Sequence, residues 1–174
     1  MGLKVGTVKL EKYNSSWVNE FNEEKEILSK IFGDIAIKIE HVGSTSIEGL
    51  SAKPIIDIAI AVNRLEDFEK VKSYFEKEPY SIKEDPVNDE ILVRKGSIDN
   101  RTHFIHIMEL NSKRYQDTII FRDYLKGNID TLKVYERLKK ALANKYANNR
   151  KMYTTSKNEF IQEVIEKAYE EQIK

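Results

Sequence analysis

The sequence of 174 residues contains no cysteine, three prolines and seven glycines. The absence of cysteine excludes disulfides, thiolate zinc sites and a catalytic thiol, and it fits a reducing compartment, so we expect a cytoplasmic location. Long apolar runs are also absent, because none approaches the roughly 20 residues that a membrane-spanning helix needs. The N-terminal stretch lacks the apolar core of a signal peptide, so we expect a soluble protein that is not exported.

An excess of charge of either sign is missing as well. The 29 basic and 29 acidic residues cancel, so the whole molecule has no field that would attract nucleic acid or an anionic membrane. We therefore favour neither as a partner, although a local basic cleft is compatible with this composition. The oligomeric state stays open.

The apolar content, by contrast, is sufficient for one folded domain. Hydrophobic residues make up 40% of the chain, and a chain of this length can bury a sizeable core. We predict a single domain, 1–174, in which residues 1–110 form a sheet-containing core and residues 111–174 form C-terminal helices. The order of strand and helix patterns predicts an α/β (α+β) fold with a mixed β-sheet and flanking helices.

Hydrophobic periodicity predicts the order of the elements. The predicted strands are residues 5–10 at a sheet edge, 35–39, 55–62, 80–83, 91–93 and 102–110. The predicted helices are residues 15–32, 64–77, 113–126, 130–146 and 156–173. Pro79 and Pro86 are expected in connections, and residues 148–155 in a polar connection before the last helix.

Residues 40–62, EHVGSTSIEGLSAKPIIDIAIAV, are predicted to form a strand end, a turn into a short helix, and a second strand. At the start of a helix, Gly43 and Ser44 would offer free backbone N–H groups. The hydroxyls of Ser44, Thr45 and Ser46 would add further donors, and together these groups can hold a phosphate. The alternative is a capped helix start in which the serine satisfies the amides of the helix itself.

Asp57 is the one charged residue in the predicted strand 55–62. Burying an unpaired carboxylate is costly, so we expect Asp57 to face a cleft. Strand alternation places Ala59 and Ala61 on the same face, where their small side chains would let a ligand approach. That face is the predicted bottom of a pocket, and the alternative is a structural ion pair of Asp57 with Arg101 or Arg122.

These residues resemble a known protein family. The run HVGSTSIEGLSAKPIIDI is similar to the signature of GrpB-type proteins, and residues 101–109 (RTHFIHIME), 121–125 (FRDYL) and 153–161 (YTTSKNEFI) match the same family in the same order. The resemblance spans nearly the whole chain. It implies a fold of the nucleotidyltransferase superfamily, which includes DNA polymerase beta-like enzymes. It also implies a nucleotide or another phosphorylated small molecule as the ligand at the Gly-Ser turn.

The resemblance raises nucleotidyl transfer as the activity. Such a reaction normally uses paired carboxylates that hold two Mg²⁺ or Mn²⁺ ions, and Asp57 would be a metal ligand here. The expected second acid falls at Ala59, which leaves the carboxylate set incomplete, and His106 and Glu109 are the candidates to complete it. Three hypotheses remain: a metal-dependent nucleotidyltransferase, a non-catalytic module that binds or senses a phosphorylated ligand, and a structural or interaction protein without a ligand, for which the whole set of candidate residues would be incidental. The alanine favours the second.

The three histidines are candidate site residues. His41, beside the turn, is predicted to act with Asp57 as an acid–base group or as a donor to an anion, and the alternative is a core histidine. Alternation along the strand 102–110 places His103 and His106 on opposite faces, so both line one pocket only if the strand bulges. Each is a candidate ligand contact, with a structural role as the alternative.

Two arginines are further candidates for ligand contact. The guanidinium groups of Arg101 and Arg122 match oxyanions in shape. The alternative is structural or surface pairing, for which Asp123 is the nearest partner of Arg122.

A tyrosine and two lysines complete the candidate set. Lys53 lies between the turn and Asp57 and would neutralise a phosphate, with a solvated corner residue as the alternative. Tyr153 and Lys157, with Arg150 nearby, match the C-terminal pattern of the family and are expected to close over the pocket. The alternative for these residues is a solvated cluster at the start of a helix.

Overall fold

The computed structural model describes residues 1–83 and 89–172. These residues contain five β-strands and five α-helices. The strands are β1 (Lys38–Val42), β2 (Ile56–Val62), β3 (Tyr80–Ile82), β4 (Glu90–Gly96) and β5 (Arg101–Glu109). The helices are α1 (Ser16–Phe32), α2 (Lys113–Gly127), α3 (Ile129–Lys145), α4 (Arg150–Thr155) and α5 (Asn158–Gln172).

The strands form one mixed sheet in the order β1-β2-β5-β4-β3. Only β2 and β5 pair in parallel, and the other neighbours are antiparallel. The predicted fold class, a mixed sheet with flanking helices, is confirmed. Because β2 and β5 are central neighbours, residues from both strands share one face at their N-terminal ends, where the candidate site lies.

Strand β2 has two different faces, as its alternation predicts. Ile56, Ile58 and Ile60 are fully buried in the larger core together with Trp17 and Phe21 of α1. The opposite face of β2 packs against α2 through a smaller cluster, which contains Val42, Ala59, Ala61, Met108 and Tyr115. Asp57 is therefore the first residue of β2 on the face that packs against the C-terminal helices.

The prediction of an edge strand at residues 5–10 is wrong. The N-terminal segment forms isolated bridges instead, Leu3 with Arg101 and Glu11 with Ala52. Between them, Val8 N donates to the carbonyl of Ala147 at 2.7 Å. The segment crosses three separate parts of the fold, so its backbone groups find partners without a continuous ladder.

Two other predicted elements differ from the structure. The strand predicted at residues 35–39 begins only at Lys38, because Gly33–Ile35 forms a 3₁₀ turn after α1. The helix predicted at residues 64–77 is two 3₁₀ segments, Leu65–Lys70 and Lys72–Tyr74. In that shape Phe68, Val71 and Phe75 all enter the core beside Phe32. Tertiary packing thus outweighs the 3.6-residue pattern there.

The helical C-terminal half is confirmed, with one change. Helices α2 and α3 lie within about one or two residues of their predicted ends. The predicted polar connection at 148–155 contains α4, which Asn149 caps by accepting from Met152 N at 3.1 Å. Pro86 and the predicted extension to residue 173 lie outside the described residues. Within the described residues, no helix is both long and apolar enough to cross a bilayer.

Candidate functional site

The turn after β1 lies directly against Asp57. Val42 pairs with Asp57 in the antiparallel register of β1 and β2, so the chain leaves β1 above the carboxylate. Gly43 has φ +66° and ψ −172°, a combination that side chains disfavour. A Cβ on Gly43 would lie 2.9 Å from Asp57 Cβ and 3.0 Å from Cγ. Glycine is required there because the Asp57 side chain occupies the space that a Cβ at position 43 would need.

The helix predicted after this turn is absent. Ser44–Ser46 is a single 3₁₀ turn, and one turn has no helix dipole of consequence, so that part of the anion-binding argument fails. Gly43, Ser44 and Thr45 line a cavity beside the turn. Ser46 does not line it, and its hydroxyl donates to Gly43 O at 2.7 Å.

The cavity is large and carries a positive excess. Its volume is about 1240 Å³, and eight Lys or Arg residues line it against three carboxylates. This local basic cleft exists within a chain of zero formal net charge. Concave sites with one sign of charge concentrate ligands of the opposite sign.

Asp57 and His106 meet at the bottom of this cavity. His106 pairs with Ala59 across the parallel register and projects from the face that Asp57 occupies. Its Nε2 lies 3.7 Å from Asp57 Oδ1, and its Nδ1 lies 3.2 Å from Glu90 Oε2. Arg114 Nε donates to the same Glu90 oxygen at 3.3 Å. The imidazole thus lies between the carboxylates of Asp57 and Glu90, and that of Glu90 is also paired with Arg114.

The charges in this group follow from its geometry. Burial acts to lower the pKa of His106, but Asp57 and Glu90 outweigh it and raise that pKa to about 9. Burial acts to raise the pKa of Asp57, but His106 and then Lys53 and Lys157 hold it below its usual value. His106 is therefore a cation and Asp57 an anion at neutral pH. The side chain of Asp57 keeps 32% of its surface exposed.

Three cations that line the cavity lie over two aromatic rings, those of Tyr153 and Phe104. Lys157 Nζ lies 4.5 Å from the centroid of the tyrosine ring, and Lys53 Nζ lies 5.6 Å from it. Arg150, one helical turn before Tyr153, stacks its guanidinium 5.3 Å from the ring of Phe104. Arg150 Nη2 is buried without a hydrogen-bond partner among the described residues. The aromatic rings hold these cations in place without neutralising them.

Mutual repulsion and burial weaken the protonation of these groups. Burial, followed by the charges of Arg150 and Lys157, lowers the pKa of Lys53 to about 7. Burial and the charge of Arg150 lower the pKa of Lys157 to about 8, although Asp57 opposes the shift. An anion in the cavity would place a negative charge beside both amines and so raise the pKa of Lys53 and that of Lys157.

Helix α3 holds the segment that carries Lys53. Glu136 accepts from Ser51 N at 3.0 Å and from Ser51 Oγ at 2.6 Å. The buried amine of Lys139 donates to the carbonyl of Ser51. From the other side, Gly2 N donates to Pro54 O at 2.9 Å. Lys53 therefore extends from a segment that is anchored at both ends.

The N-terminal segment also supports the cationic cluster. Arg150 N donates to the carbonyl of Gly6 at 3.2 Å, and Val5 and Gly6 line the cavity. The segment that failed to form a strand is thus part of the wall of the site.

Three predicted site residues lie on the opposite face of the sheet. His41 pairs with Ile58 and stacks on Phe21 with ring centroids 4.8 Å apart. His103 pairs with Ile56, and Arg101 precedes it on the same face. None of the three lines the cavity. Alternation along each strand explains this, because neighbours in sequence point to opposite faces.

The buried environment of the two histidines does not suit acid–base work at neutral pH. Burial lowers the pKa of His41 and that of His103 to about 4. His41 Nε2 lies 2.9 Å from the hydroxyl of Thr45, and His103 Nδ1 lies 2.9 Å from that of Thr102. The opposite orientation of His103 and His106, predicted from the strand pattern, is confirmed.

Arg122 lines the cavity, but its donors are already engaged. Its Nε and Nη2 donate to the carboxylate of Asp123 at 2.7 and 3.1 Å. Its Nη1 donates to the carbonyl of His41 at 3.1 Å. The structural alternative describes Arg122 better than the predicted contact with a ligand, because its guanidinium joins α2 to the end of β1.

The donor set does not fit a divalent cation. Among residues 1–83 and 89–172, no three His, Asp or Glu side chains converge as a metal site. Glu109, a candidate to complete the set, instead accepts from Leu65 N at 3.2 Å. The other candidate, His106, is a cation. Mg²⁺ binds several oxygen ligands, mainly carboxylates, carbonyls and water. Beside the Gly43 turn Asp57 offers one carboxylate, which is already paired with His106 and lies near Lys53 and Lys157.

Sequence reasoning missed Glu90 and the α3 residues Glu136 and Lys139. The signal for Lys139 is a single charged residue on the apolar face of a helix, since it follows Leu132 and Tyr135 at helical spacing. Glu90 offers no comparable signal, because it is one acid among several polar residues in the stretch that leads into β4 and starts that strand.

The comparisons with known proteins agree on one family. The profile of the family described as GrpB protein matches residues 7–167. The glutamate-rich protein GrpB of Alkalihalophilus pseudofirmus is 36% identical over 170 residues, which cover 95% of this chain and 98% of that protein. The UPF0157 protein YqkA of Bacillus subtilis is 35% identical over 162 residues, 92% of this chain but 47% of that protein.

A solved structure shares the fold. The crystal structure of the conserved protein GrpB from Enterococcus faecalis superposes with a TM-score of 0.86 at 32% sequence identity. The match covers 95% of this chain and 100% of that chain.

Proposed function

The chain belongs to the GrpB family, and from that premise we propose that it binds a phosphorylated small molecule, such as a nucleotide, in the cavity beside the Gly43 turn. The observation that carries this proposal is the cluster of three cations in the cavity wall, Lys53 and Lys157 over Tyr153 and Arg150 over Phe104. In the described part of the chain, no carboxylate pairs with any of the three. Phosphate oxygens would supply the missing partners through charge-assisted hydrogen bonds.

The turn supports the same ligand. Gly43, Ser44 and Thr45 line the same cavity as the cations, and the first N–H groups of a 3₁₀ turn have no partner inside the turn. The volume of about 1240 Å³ exceeds what a single phosphate fills. It accommodates a ligand of nucleotide size.

We favour a binding or sensor module over a transferase that holds its own metal. Ala59, where the second acid would lie, is fully buried against Ala61 and Met108. Asp57 is paired with the charged His106. A site with three unpaired cations and one paired carboxylate suits an anion better than a metal ion.

Nucleotidyl transfer, and with it placement in the nucleotidyltransferase superfamily, is the second candidate. The specific observation in its favour is that Asp57 remains 32% exposed at the bottom of the cavity. A divalent cation that arrived on the phosphates of the ligand could meet that carboxylate.

A thermal-shift and calorimetric screen tests the proposal. The probes are phosphate, pyrophosphate, AMP, ADP and ATP, each with EDTA and with Mg²⁺ or Mn²⁺. A ligand at 100 times its Kd stabilises by about 2.7 kcal/mol, or a rise in Tm of roughly 5–10 °C for a chain of this size. Lys157→Met should abolish the rise, and Lys30→Met, at an exposed position on α1, should preserve it.

The metal dependence separates the two candidates. Stabilisation in EDTA supports the binding module, whereas stabilisation and product formation that both require the metal support transfer. Failure of every probe to bind, with the wild type and Lys157→Met behaving alike, would refute the proposal.

A further inference from the structure

Lys53 has an unusual environment for a lysine. The charged groups near its amine are Arg150, Lys157 and Lys139 from the C-terminal helices and Asp57 from β2. Three of these four neighbours are cations, and Asp57 is already engaged by His106. Lys53 lines the cavity and is partly exposed, so a bound molecule can contact its side chain.

The neighbours of Lys53 favour its neutral form. Burial, then the charges of Arg150 and Lys157, lower its pKa to about 7. At pH 7 about half of such amines are neutral, compared with roughly one in a few thousand for an ordinary lysine. A desolvated lysine beside other cations is a typical activated amine nucleophile.

We propose that Lys53 forms an imine with the carbonyl group of a phosphorylated aldehyde or ketone bound in this cavity. Arg150 and Lys157 hold the phosphate of that ligand, and its carbonyl group rather than its phosphate faces the Lys53 amine. Anions without a carbonyl group, such as sulfate, contact the charged form of Lys53 instead. This inference rests on the proposed function, because it needs the phosphate to bind in the cavity.

The reaction is balanced without a further reactant. The lone pair of the neutral Lys53 amine attacks the carbonyl carbon, the C=O π electrons move to the oxygen, and one proton passes from the nitrogen to that oxygen to give a carbinolamine. The hydroxyl then leaves as water together with the one proton that remains on the nitrogen, which yields a C=N bond. Water is the only other product, and hydrolysis reverses the reaction, so nothing is oxidised or reduced.

The other lysines of the cluster are less suited to this role. Lys139 is 1% exposed, its amine donates to the carbonyl of Ser51, and it does not line the cavity. The pKa of Lys157 falls only to about 8, and its amine lies nearer the Tyr153 ring than that of Lys53 does. Lys53 combines access to the cavity with the larger neutral fraction.

Borohydride trapping tests the inference. The full chain is incubated with substoichiometric pyridoxal 5′-phosphate at pH 7, reduced with borohydride, digested, and mapped by mass spectrometry. We expect Lys53 to be labelled about tenfold or more faster than an exposed lysine such as Lys30, because of its larger neutral fraction and the adjacent phosphate site. Inorganic phosphate or ATP should protect it.

Two variants and an uncharged probe complete the design. Lys53→Arg keeps a positive charge but cannot form an imine, so the selective label should disappear, whereas Lys30→Arg should leave the label on Lys53. Formaldehyde with cyanoborohydride has no phosphate and measures the reactivity of the amine alone. Circular dichroism confirms that each variant is folded.

The outcomes distinguish this inference from the proposed function. Nucleotides that bind while Lys53 reacts no faster than Lys30 with either aldehyde would overturn the imine but leave the binding function standing. Fast labelling of Lys53 by formaldehyde, with no preference for the phosphorylated aldehyde and no binding of any phosphate, would overturn the proposed function and this inference with it. Selective, phosphate-protected labelling of Lys53 supports both.

Discussion

The affinity of the cavity for a dianion should fall steeply as the pH rises from 6 to 8. Sulfate is the suitable probe, because it keeps two negative charges over this range. Lys53, with a pKa of about 7, is charged below that pH and neutral above it. Lys157, with a pKa of about 8, loses its charge later. A bound anion favours both charged forms, so each binding event takes up protons, and the affinity falls as the free amines deprotonate.

The size of the effect follows from these two values. Between pH 6 and pH 8 the charged fraction of Lys53 falls about tenfold and that of Lys157 about twofold. If binding requires both charges, the affinity falls about 20-fold, or about 1.8 kcal/mol. His41 and His106 stay nearly constant over this range, because the pKa of His41 lies at about 4 and that of His106 at about 9. Lys139, whose pKa burial also lowers to about 7, titrates in the same range, but its amine donates to the carbonyl of Ser51 and it does not line the cavity.

Isothermal titration calorimetry measures this dependence directly. Titrations at pH 6, 7 and 8 give the affinity, and repeating them in two buffers with different ionisation heats gives the number of protons taken up. Lys53→Arg, which is charged at every pH used, should reduce the 20-fold change to about twofold. Lys30→Arg should leave it unchanged. An affinity that is constant or rises from pH 6 to pH 8, or a Lys53→Arg variant with the wild-type slope, would refute the reasoning.

Three further changes test the architecture by urea denaturation. Gly43→Ala should lower the free energy of unfolding by about 2–4 kcal/mol, because the added Cβ is strained at the positive φ of this position and clashes with the Asp57 side chain. Gly127→Ala, whose added Cβ would have nothing within 4 Å, should leave the stability unchanged or raise it. Equal effects of the two variants would contradict this prediction. His106→Gln should remove a stabilisation of up to about 3 kcal/mol that is complete below the unfolded pKa of 6.5 and is lost as the pH rises through about 9. A constant difference between variant and wild type from pH 6 to pH 10 would exclude that ion pair. Ser51→Ala should lower the free energy of unfolding by about 1–2 kcal/mol, because the carboxylate of Glu136 loses its 2.6 Å hydrogen bond. The same variant should weaken sulfate binding. The exposed control Ser29→Ala should change neither the stability nor the binding.

The predicted arrangement around β2 holds because it depends on local geometry. A strand alternates its side chains by covalent structure, so the pattern of residues 55–62 was enough to place Asp57 opposite the isoleucine face. The same alternation separated His103 from His106. The glycine after β1 was recognisable as a special backbone position, although the helix expected after it proved to be one 3₁₀ turn.

The failures share a different cause. The segment 5–10 has a weak strand pattern, yet Val8 N donates to Ala147 O in the helical half of the chain, and Val5 N donates to Ile98 O in the loop between β4 and β5. At residues 64–77 the apolar residues do recur at helical spacing, but the segment forms 3₁₀ turns, in which Phe68 and Phe75 are buried beside Phe32. In both cases partners far away in sequence decided the local conformation.

The sequence by itself determined the family, the mixed sheet, and the meeting of the Gly43 turn with Asp57 on one face, since each follows from motifs or from periodicity within a short segment. Only the tertiary structure decided the chemistry of the cavity. Arg150 and Lys157 reach Lys53 from about a hundred residues away along the chain, and His106 becomes a cation only because Asp57 and Glu90 lie on either side of it. Charge and pKa depend on distances through space, which no local pattern of residues encodes.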